Sequence, residues 1–391
     1  MKLLINLCAH DGIISYYAGV GTIVKGYVKL FYKYCNSLNC EYKINLFTPE
    51  YNTNSFGYSK TIHIEHLNLK NVEIFLISNG TNGQTGFGNV PEWQNLVNNT
   101  AKVINKIDIS CFDKVITVCN DGPFAKLPEI IKPAVNHKKI WIPHSSHAAS
   151  PGSLKLKWEQ EAIDFINNDN LSFLGANSEF MGRHMLDEFS IKKHKILPIT
   201  CGEVLDSKEP VIYGKPFAEL FKQIENYDAM VFAFGRAEEY KNLEAALLLK
   251  KELNLPSVVI ARSYSTDQPI LNTYRQLAAK TEATLFIDPP DNFSKYILQN
   301  FKKKVIMLIP SKREPFGLII NEIRRLNRNN ILIVANDIGG LSEQIDDTKD
   351  GVLVNLDNLQ ESALKILKYF NDKDMHRMNL QAQITLKKDM I

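Results

Sequence analysis

Glu314 and Glu322 stand eight residues apart and enclose Pro315, Phe316, Gly317 and Leu318. The segment follows an apolar run, Val305–Ile309, and leads into a stretch of helical period, so it reads as a strand passing into a helix over Pro315–Leu326. Pro315 suits the first helical position, where a missing N–H leaves nothing unpaired. Read as one helix, eight residues rise by about 12 Å, enough to set two carboxylates against separate polar parts of one extended ligand. The amides of Phe316 and Gly317 would then lie at the positive end of the helix dipole, where an anion is stabilised. Gly317 also allows a close backbone approach. The plainer alternative is a helix-terminal charge and a solvated carboxylate.

A second group is Arg236 and Lys241, in Phe234-Gly235-Arg236-Ala237-Glu238-Glu239-Tyr240-Lys241-Asn242. A guanidinium fork and an ammonium point charge on one loop suit phosphate, and positioned cations stabilise charge developing on a leaving group. The alternative is two surface cations weakly paired with Glu238 and Glu239. In the first half, Gly19-Val20-Gly21-Thr22 leads into the helical stretch Thr22–Cys35. It reads as a phosphate- or sugar-cradling loop or as a tight turn. His144 and His147, in Trp141-Ile142-Pro143-His144-Ser145-Ser146-His147, follow a strand. A histidine there can hydrogen-bond a sugar or move a proton near working pH, or simply cap the strand. Asp121, before Gly122, is placed to bind acceptor hydroxyls or to form a turn.

These residues need elements that hold them at one level. Short apolar runs alternate with stretches of helical period, the pattern of parallel sheets covered by helices. Strands are expected at Lys2–Cys8, Tyr42–Thr48, Val72–Ile77, Lys114–Cys119, Lys139–Ile142 and Ser172–Ala176. A second series runs through Met230–Phe234, Ser257–Ala261, Thr284–Ile287, Val305–Ile309 and Ile331–Ala335. Helices are expected between them, among them Pro91–Asn105, Glu179–Phe189, Leu243–Leu253 and Leu359–Phe370. The rhythm pauses over Asp206–Pro216, which reads as a linker. The expectation is an α/β chain of two Rossmann-like, doubly wound domains facing a cleft, 1–205 and 206–370, with helix 371–391 returning to the first. Ligands of such sheets bind beyond the carboxyl ends of the strands, where the residues above fall.

The chain has 391 residues, 46 basic and 43 acidic, for a formal net charge of +3. That balance gives no bulk reason to invoke nucleic acid. No apolar run reaches the ~20 residues of a membrane-spanning helix. Met1–Leu7 reads as a buried first strand rather than a signal peptide. The six cysteines show no C-x-x-C spacing, and buried thiols in a reducing compartment, the cytoplasm, are expected. Helix Thr22–Tyr34, with Lys25, Lys29 and Lys33 beside aromatics, is expected to pack on the first sheet. It also leaves room for a weak membrane-surface contact. Arg324 and Arg325 read as solvated cations at a helix end or, as the weaker alternative, as cations reaching a negatively charged acceptor.

Glu314–Glu322, with Glu-Pro-Phe-Gly-Leu inside it, resembles the E-x7-E motif of retaining GT-B glycosyltransferases of the family 4 group, and Asp337-Ile338-Gly339-Gly340-Leu341-Ser342-Glu343 is similar to the segment that follows it. The resemblance is good over 230–370 and diffuse over 1–200. It implies that Glu314 contacts the donor sugar, that Phe316, Gly317 and Leu318 hold sugar and phosphate through their amides, and that Glu322 binds the ribose. It implies that Arg236 and Lys241 grip the diphosphate, that Gly19 and Gly21 belong to a loop closing on the donor, and that His144, with His147 as its substitute, touches the transferred sugar. Ala18 replaces a frequent glycine, and Pro198-Ile199-Thr200-Cys201-Gly202-Glu203 departs from the family's Pro-Asn-Gly-Val-Asp stretch. With no convincing D-x-D, the expectation is metal-independent, retaining transfer from a nucleotide-diphosphate sugar, a UDP-sugar first, with no further cofactor. Asp121 and His147 are expected on the acceptor, left open between a saccharide, a small molecule and a lipid-linked group, and the chain is open to pairing as a homodimer. The alternative is an inactive GT-B protein that binds a sugar nucleotide or a partner.

Overall fold

The computed structural model describes residues 1–391 apart from 16–18, 39, 55–56, 84–86, 149–150, 200–213, 264–267 and 390–391, and describes side chains only as far as Thr385. Ala18, residues 200–203 and most of the expected linker, 206–213, therefore lie outside the described residues. By its internal contacts the chain divides into Met1–Leu205 and Asp206–Ile391. Each unit is built on one parallel sheet.

The first sheet contains β1 (Lys2–Cys8), β2 (Glu41–Pro49), β3 (Val72–Ile77), β4 (Lys114–Asn120), β5 (His137–Ile142), β6 (Ser172–Ala176) and β7 (Ile196–Pro198), in the order β3-β2-β1-β4-β5-β6-β7. The second contains β8 (Ala229–Arg236), β9 (Ser257–Arg262), β10 (Thr284–Ile287), β11 (Lys304–Ile309), β12 (Ile331–Asn336) and β13 (Val352–Val354), in the order β10-β9-β8-β11-β12-β13. In each sheet the chain winds outward to one side, then returns to the other side of its starting strand. The reversal falls between β1 and β4 and between β8 and β11, and a crevice opens there at the strands' carboxyl ends.

The strands are apolar on both faces because helices cover both. In β8, Met230 and Phe232 join a core with Phe293, Ile297 and Ile320, while Val231 and Ala233 join another with Leu247 and Tyr274. A one-residue slip would exchange the two sets, so register is fixed by packing. The first sheet also carries a buried polar row that the sequence reading did not identify. Asn45 Nδ2 donates to Asn6 Oδ1 (3.0 Å), Asn6 Nδ2 to Thr117 Oγ1 (3.1 Å), and Thr117 Oγ1 meets His137 Nε2 (2.7 Å). These bonds link four strands and offset much of the desolvation cost of burying the groups, with Asn45 Oδ1 left without a partner.

Three expectations change. Helix Gly19–Ser37 begins at Gly19, so the two glycines are its first turn and not a loop before it. It buries Ile23, Val24, Tyr27 and Val28 and leaves Leu30 and Tyr34 exposed. Helix Asp372–Asp389 packs on the second unit: Met375 and Met378 join its core, and Asn379 Nδ2 donates to Ile331 O (2.9 Å). Those methionines need apolar cover, and β12 with its adjoining helix supplies it. Arg324 is not solvated. It is 1% exposed and pairs at 2.9 Å with Asp350, also 1% exposed.

Candidate active site

In the second unit, the loops after β8 and β11 meet over the crevice. Lys312 N donates to Tyr240 O (2.7 Å), and Asn242 Nδ2 donates to Pro310 O (3.1 Å). Asn242, at φ 51°, ends the first loop and caps helix Leu243–Leu253. These ties bring together residues distant in sequence: Lys241 Nζ lies 2.7 Å from Glu314 Oε2, with the two side chains 23% and 17% exposed. Ser311 Oγ approaches the same oxygen at 3.4 Å. Arg236 pairs with Glu238 at 3.2 Å and donates to the Tyr240 hydroxyl. The Tyr240 ring lies 5.9 Å from the Arg236 guanidinium and 5.3 Å from Lys241 Nζ. Burial first, then Glu238 and Glu314, holds the Tyr240 hydroxyl protonated well above its ordinary range against the pull of Arg236.

The Glu314–Glu322 segment is not one helix. The helix is Leu318–Arg325, and Gly317, at φ 88°, is its N-cap in the left-handed region. A Cβ at Gly317 would also come within 2.6 Å of Leu341 Cδ2. Pro315 therefore lies in the preceding loop, and half of the expected axial rise between the glutamates is loop instead. That loop is clamped from the neighbouring strand-to-helix turn. Gly340 N donates to Glu314 O (2.8 Å), and a side chain at Gly340 would strike Pro315 O and Phe316 Cα. Glu322 is half-buried. Burial raises its carboxyl above the ordinary range, against the opposing charges of Arg325 and Lys295.

In the first unit, Asn120, Asp121 and His144 cluster at the carboxyl ends of β4 and β5. His144 Nε2 meets Asn120 Oδ1 (3.1 Å), and its Nδ1 is buried without a hydrogen-bond partner. Burial pushes His144 down to about 4. The ring is therefore neutral near working pH, able to hydrogen-bond a sugar and a weaker base than a free imidazole. Asp121 is more than a turn residue. At φ 65° and ψ 177° it occupies backbone space that is almost restricted to glycine, which costs on the order of 1–3 kcal/mol. Its Oδ1 accepts from Ser145 Oγ (3.1 Å). Burial pushes its carboxyl up to about 6, with Glu159 adding to the rise while the Gly122 amide and Ser145 oppose it.

His147 is held by Glu159, which accepts from its backbone N–H (2.9 Å) and lies 2.7 Å from its Nδ1. Gly21 is packed against Asp11 and Gly12: a Cβ there would come 2.8 Å from Asp11 Oδ1. Gly19 stands exposed at the helix start. Tyr240, Glu159 and Lys155 were not identified from sequence. Lys155 Nζ lies 4.9 Å from the Phe87 ring and 5.0 Å from that of Trp93. Only Tyr240 had a legible signal, its place beside Lys241.

Residues 214–385, within the second unit, match the family model for Glycosyl transferases group 1. The second unit carries a glycosyl transferase group 1 domain. With it the chain takes the transferase class of activity, glycosyl transfer. No curated protein matches the chain. Among solved structures, the fold is similar to sucrose-phosphate synthase from Thermosynechococcus elongatus, with TM-score 0.73 and 14% identity over 98% of this chain and 94% of that one. It is similar to Anabaena HepE in complex with UDP (TM-score 0.69, 15% identity, 100% and 96% covered). It is also similar to an E. coli trehalose-6-phosphate structure bound with UDP-2-fluoro glucose (0.69, 13%, 100% and 96%). These likenesses give the two-unit GT-B fold. In the glycosyl transferase domain, Lys241, Glu314 and the amides at the start of helix Leu318–Arg325 share one sheet edge. Among the described residues no helix is long and apolar enough to cross a membrane.

Proposed function

We propose that the chain is a retaining, family 4-type glycosyltransferase that moves a sugar from a nucleoside-diphosphate sugar to an acceptor hydroxyl without a metal ion. The observation that carries this reading is the Lys241–Glu314 contact at the β8–β11 crevice, beside the start of helix Leu318–Arg325. An ammonium has three N–H donors, so Lys241 can keep Glu314 and still reach a phosphate. The first helical amides have no partner within the helix and suit the same anion. Arg236 and Lys241 would then take up the negative charge that develops on the diphosphate as the sugar leaves. Glu314 would face the donor sugar and Glu322 the ribose hydroxyls. UDP is the first choice of nucleotide, since HepE and the E. coli neighbour were solved with UDP and a UDP-sugar. In the first unit, neutral His144 offers Nδ1 to a sugar hydroxyl, and Asp121 with His147 takes the acceptor.

The test is a thermal-shift panel of UDP-, GDP-, ADP- and dTDP-sugars followed by product analysis. A donor that binds raises the melting temperature by mass action. Expected is a shift with UDP-sugars and a product that keeps the anomeric configuration. Binding with no turnover would favour the inactive alternative, and no shift with any donor would overturn the reading.

A further inference from the structure

Gln344 stands at the end of helix Gly339–Gln344, outside the motifs that the sequence singles out. Its side-chain Nε2 donates to Phe316 O and to Gly317 O, the latter at 3.1 Å. No peptide bond among the described residues is cis. In a trans peptide the C=O and the following N–H point in opposite directions. Holding the carbonyls of Phe316 and Gly317 toward Gln344 therefore turns the N–H groups of Gly317 and Leu318 to the far side, both pointing away from Gln344. Consecutive amides aimed alike form an anion-binding concavity.

Gln344 is itself anchored. Its carbonyl accepts from Arg324 Nη2 at 2.7 Å, and Arg324 is ion-paired with Asp350 at 2.9 Å with both side chains 1% exposed. Thr385 Oγ1 donates to Asp350 at 3.1 Å, and Gln383 Nε2 donates to Arg324 O. The chain of bonds runs from the C-terminal helix to the Phe316–Gly317 loop; it is buried at the Arg324–Asp350 pair and part-buried elsewhere. The buried ion pair anchors the Gln344 backbone, and the two bonds from the Gln344 amide orient the loop carbonyls.

We infer that Gln344 is a positioning residue for the nucleoside-diphosphate site: it fixes the Phe316–Gly317 carbonyls so that the Gly317 and Leu318 amides are aimed at the anion before it arrives. The inference rests on the donor reading above and adds to it the residue that preorganises the cradle. It touches no substrate, and it acts through two peptide planes.

The experiment measures UDP affinity by titration calorimetry, the donor and acceptor KM, and the melting temperature, for full-length wild type, Gln344→Met and Gln344→Glu. Methionine keeps the length and lacks the donor. The expected result is about tenfold weaker UDP binding, a raised donor KM and an unchanged acceptor KM, with the fold intact. Glutamate presents a carboxylate to two carbonyls and loses more at neutral pH. As the pH falls and its carboxyl protonates, it regains a donor, and UDP affinity recovers relative to wild type. A structural role alone lowers the melting temperature and the active fraction without that pH-dependent recovery, and that outcome overturns the inference. So does wild-type UDP affinity in Gln344→Met. If Gln344→Met does not fold, the pH profile of Gln344→Glu decides. Wild-type protein that binds no nucleoside diphosphate removes the donor reading itself, which separates that failure from this one.

Discussion

Replacing Asp121 by asparagine should stabilise the first unit, and more so as pH rises. The Asp121 carboxyl is pushed up to about 6 by burial, against about 3.9 in an unfolded chain. A carboxyl raised in the fold binds its proton more tightly there, so its contribution is most favourable below the ordinary carboxylate range and is lost as pH rises through the folded value. With these two values, ionising Asp121 costs about 1.5 kcal/mol near pH 5 and about 2.9 kcal/mol near pH 8. Asparagine has no such cost, its Oδ1 can still accept from Ser145, and the backbone strain at φ 65° and ψ 177° is common to both side chains. The advantage of Asp121→Asn over wild type should therefore grow by about 1.4 kcal/mol between those two pH values. All three tryptophans, Trp93, Trp141 and Trp158, lie buried in the first unit. Trp141 Nε1 donates to Asp121 O at 3.0 Å, and Trp158 Nε1 to Gly122 O at 2.9 Å. Urea unfolding followed by tryptophan fluorescence thus reads the unit that holds the perturbation. A difference between variant and wild type that stays constant with pH would refute the reasoning, because it would mean that the carboxyl carries no burial penalty.

Buried His144 and His137 are both pushed down to about 4 by burial, so their contributions run the other way. The stability is complete above the ordinary imidazole range and is lost as pH falls from about 6.5 toward 4, about 3 kcal/mol for each. The same fluorescence assay should show His144→Gln flattening that acid loss, and an unchanged acid limb would count against it. Lys241→Met leaves the Glu314 carboxylate without its cation and should lower kcat/KM by about 10²-fold or more in steady-state kinetics, with the melting temperature little changed. Arg324→Met strands Asp350 in the core and should cost about 3–5 kcal/mol in denaturant unfolding. The double variant Arg324→Met with Asp350→Leu should recover most of that loss. Glu322→Ala should weaken donor binding in calorimetry, while Arg236→Ala should mainly lower kcat.

The fold was legible where a local pattern is sufficient. β1, β3, β6 and β10 lie where the apolar runs put them, and helices Glu179–Phe189 and Leu243–Leu253 match to the residue. β7 and β13 were not found because each has three residues, too few to show a period, and both are sheet edges made only by pairing with β6 and β12. Helix Leu154–Asn168 was passed over although Ser153 caps it, with its hydroxyl accepting from Leu156 N. The Glu314–Glu322 spacing was legible, but the geometry assigned to it was not. Nothing local to Pro315 says that the helix waits for Gly317. That start depends on Gly340 and Gln344, which arrive from the next crossover.

By itself the chain's sequence determined which residue types could meet a phosphate or a sugar, and the alternation that builds two parallel sheets. Those properties are carried by side-chain chemistry and by periods of a few residues. Tertiary structure alone decided which charges are shared and which groups titrate. Lys241 reaches Glu314 across 73 residues. His144 loses its charge, and Asp121 is driven to keep its proton further up the pH scale, because burial removes water from both. Desolvation and long-range pairing depend on everything packed around a group. A sequence read in windows cannot contain them.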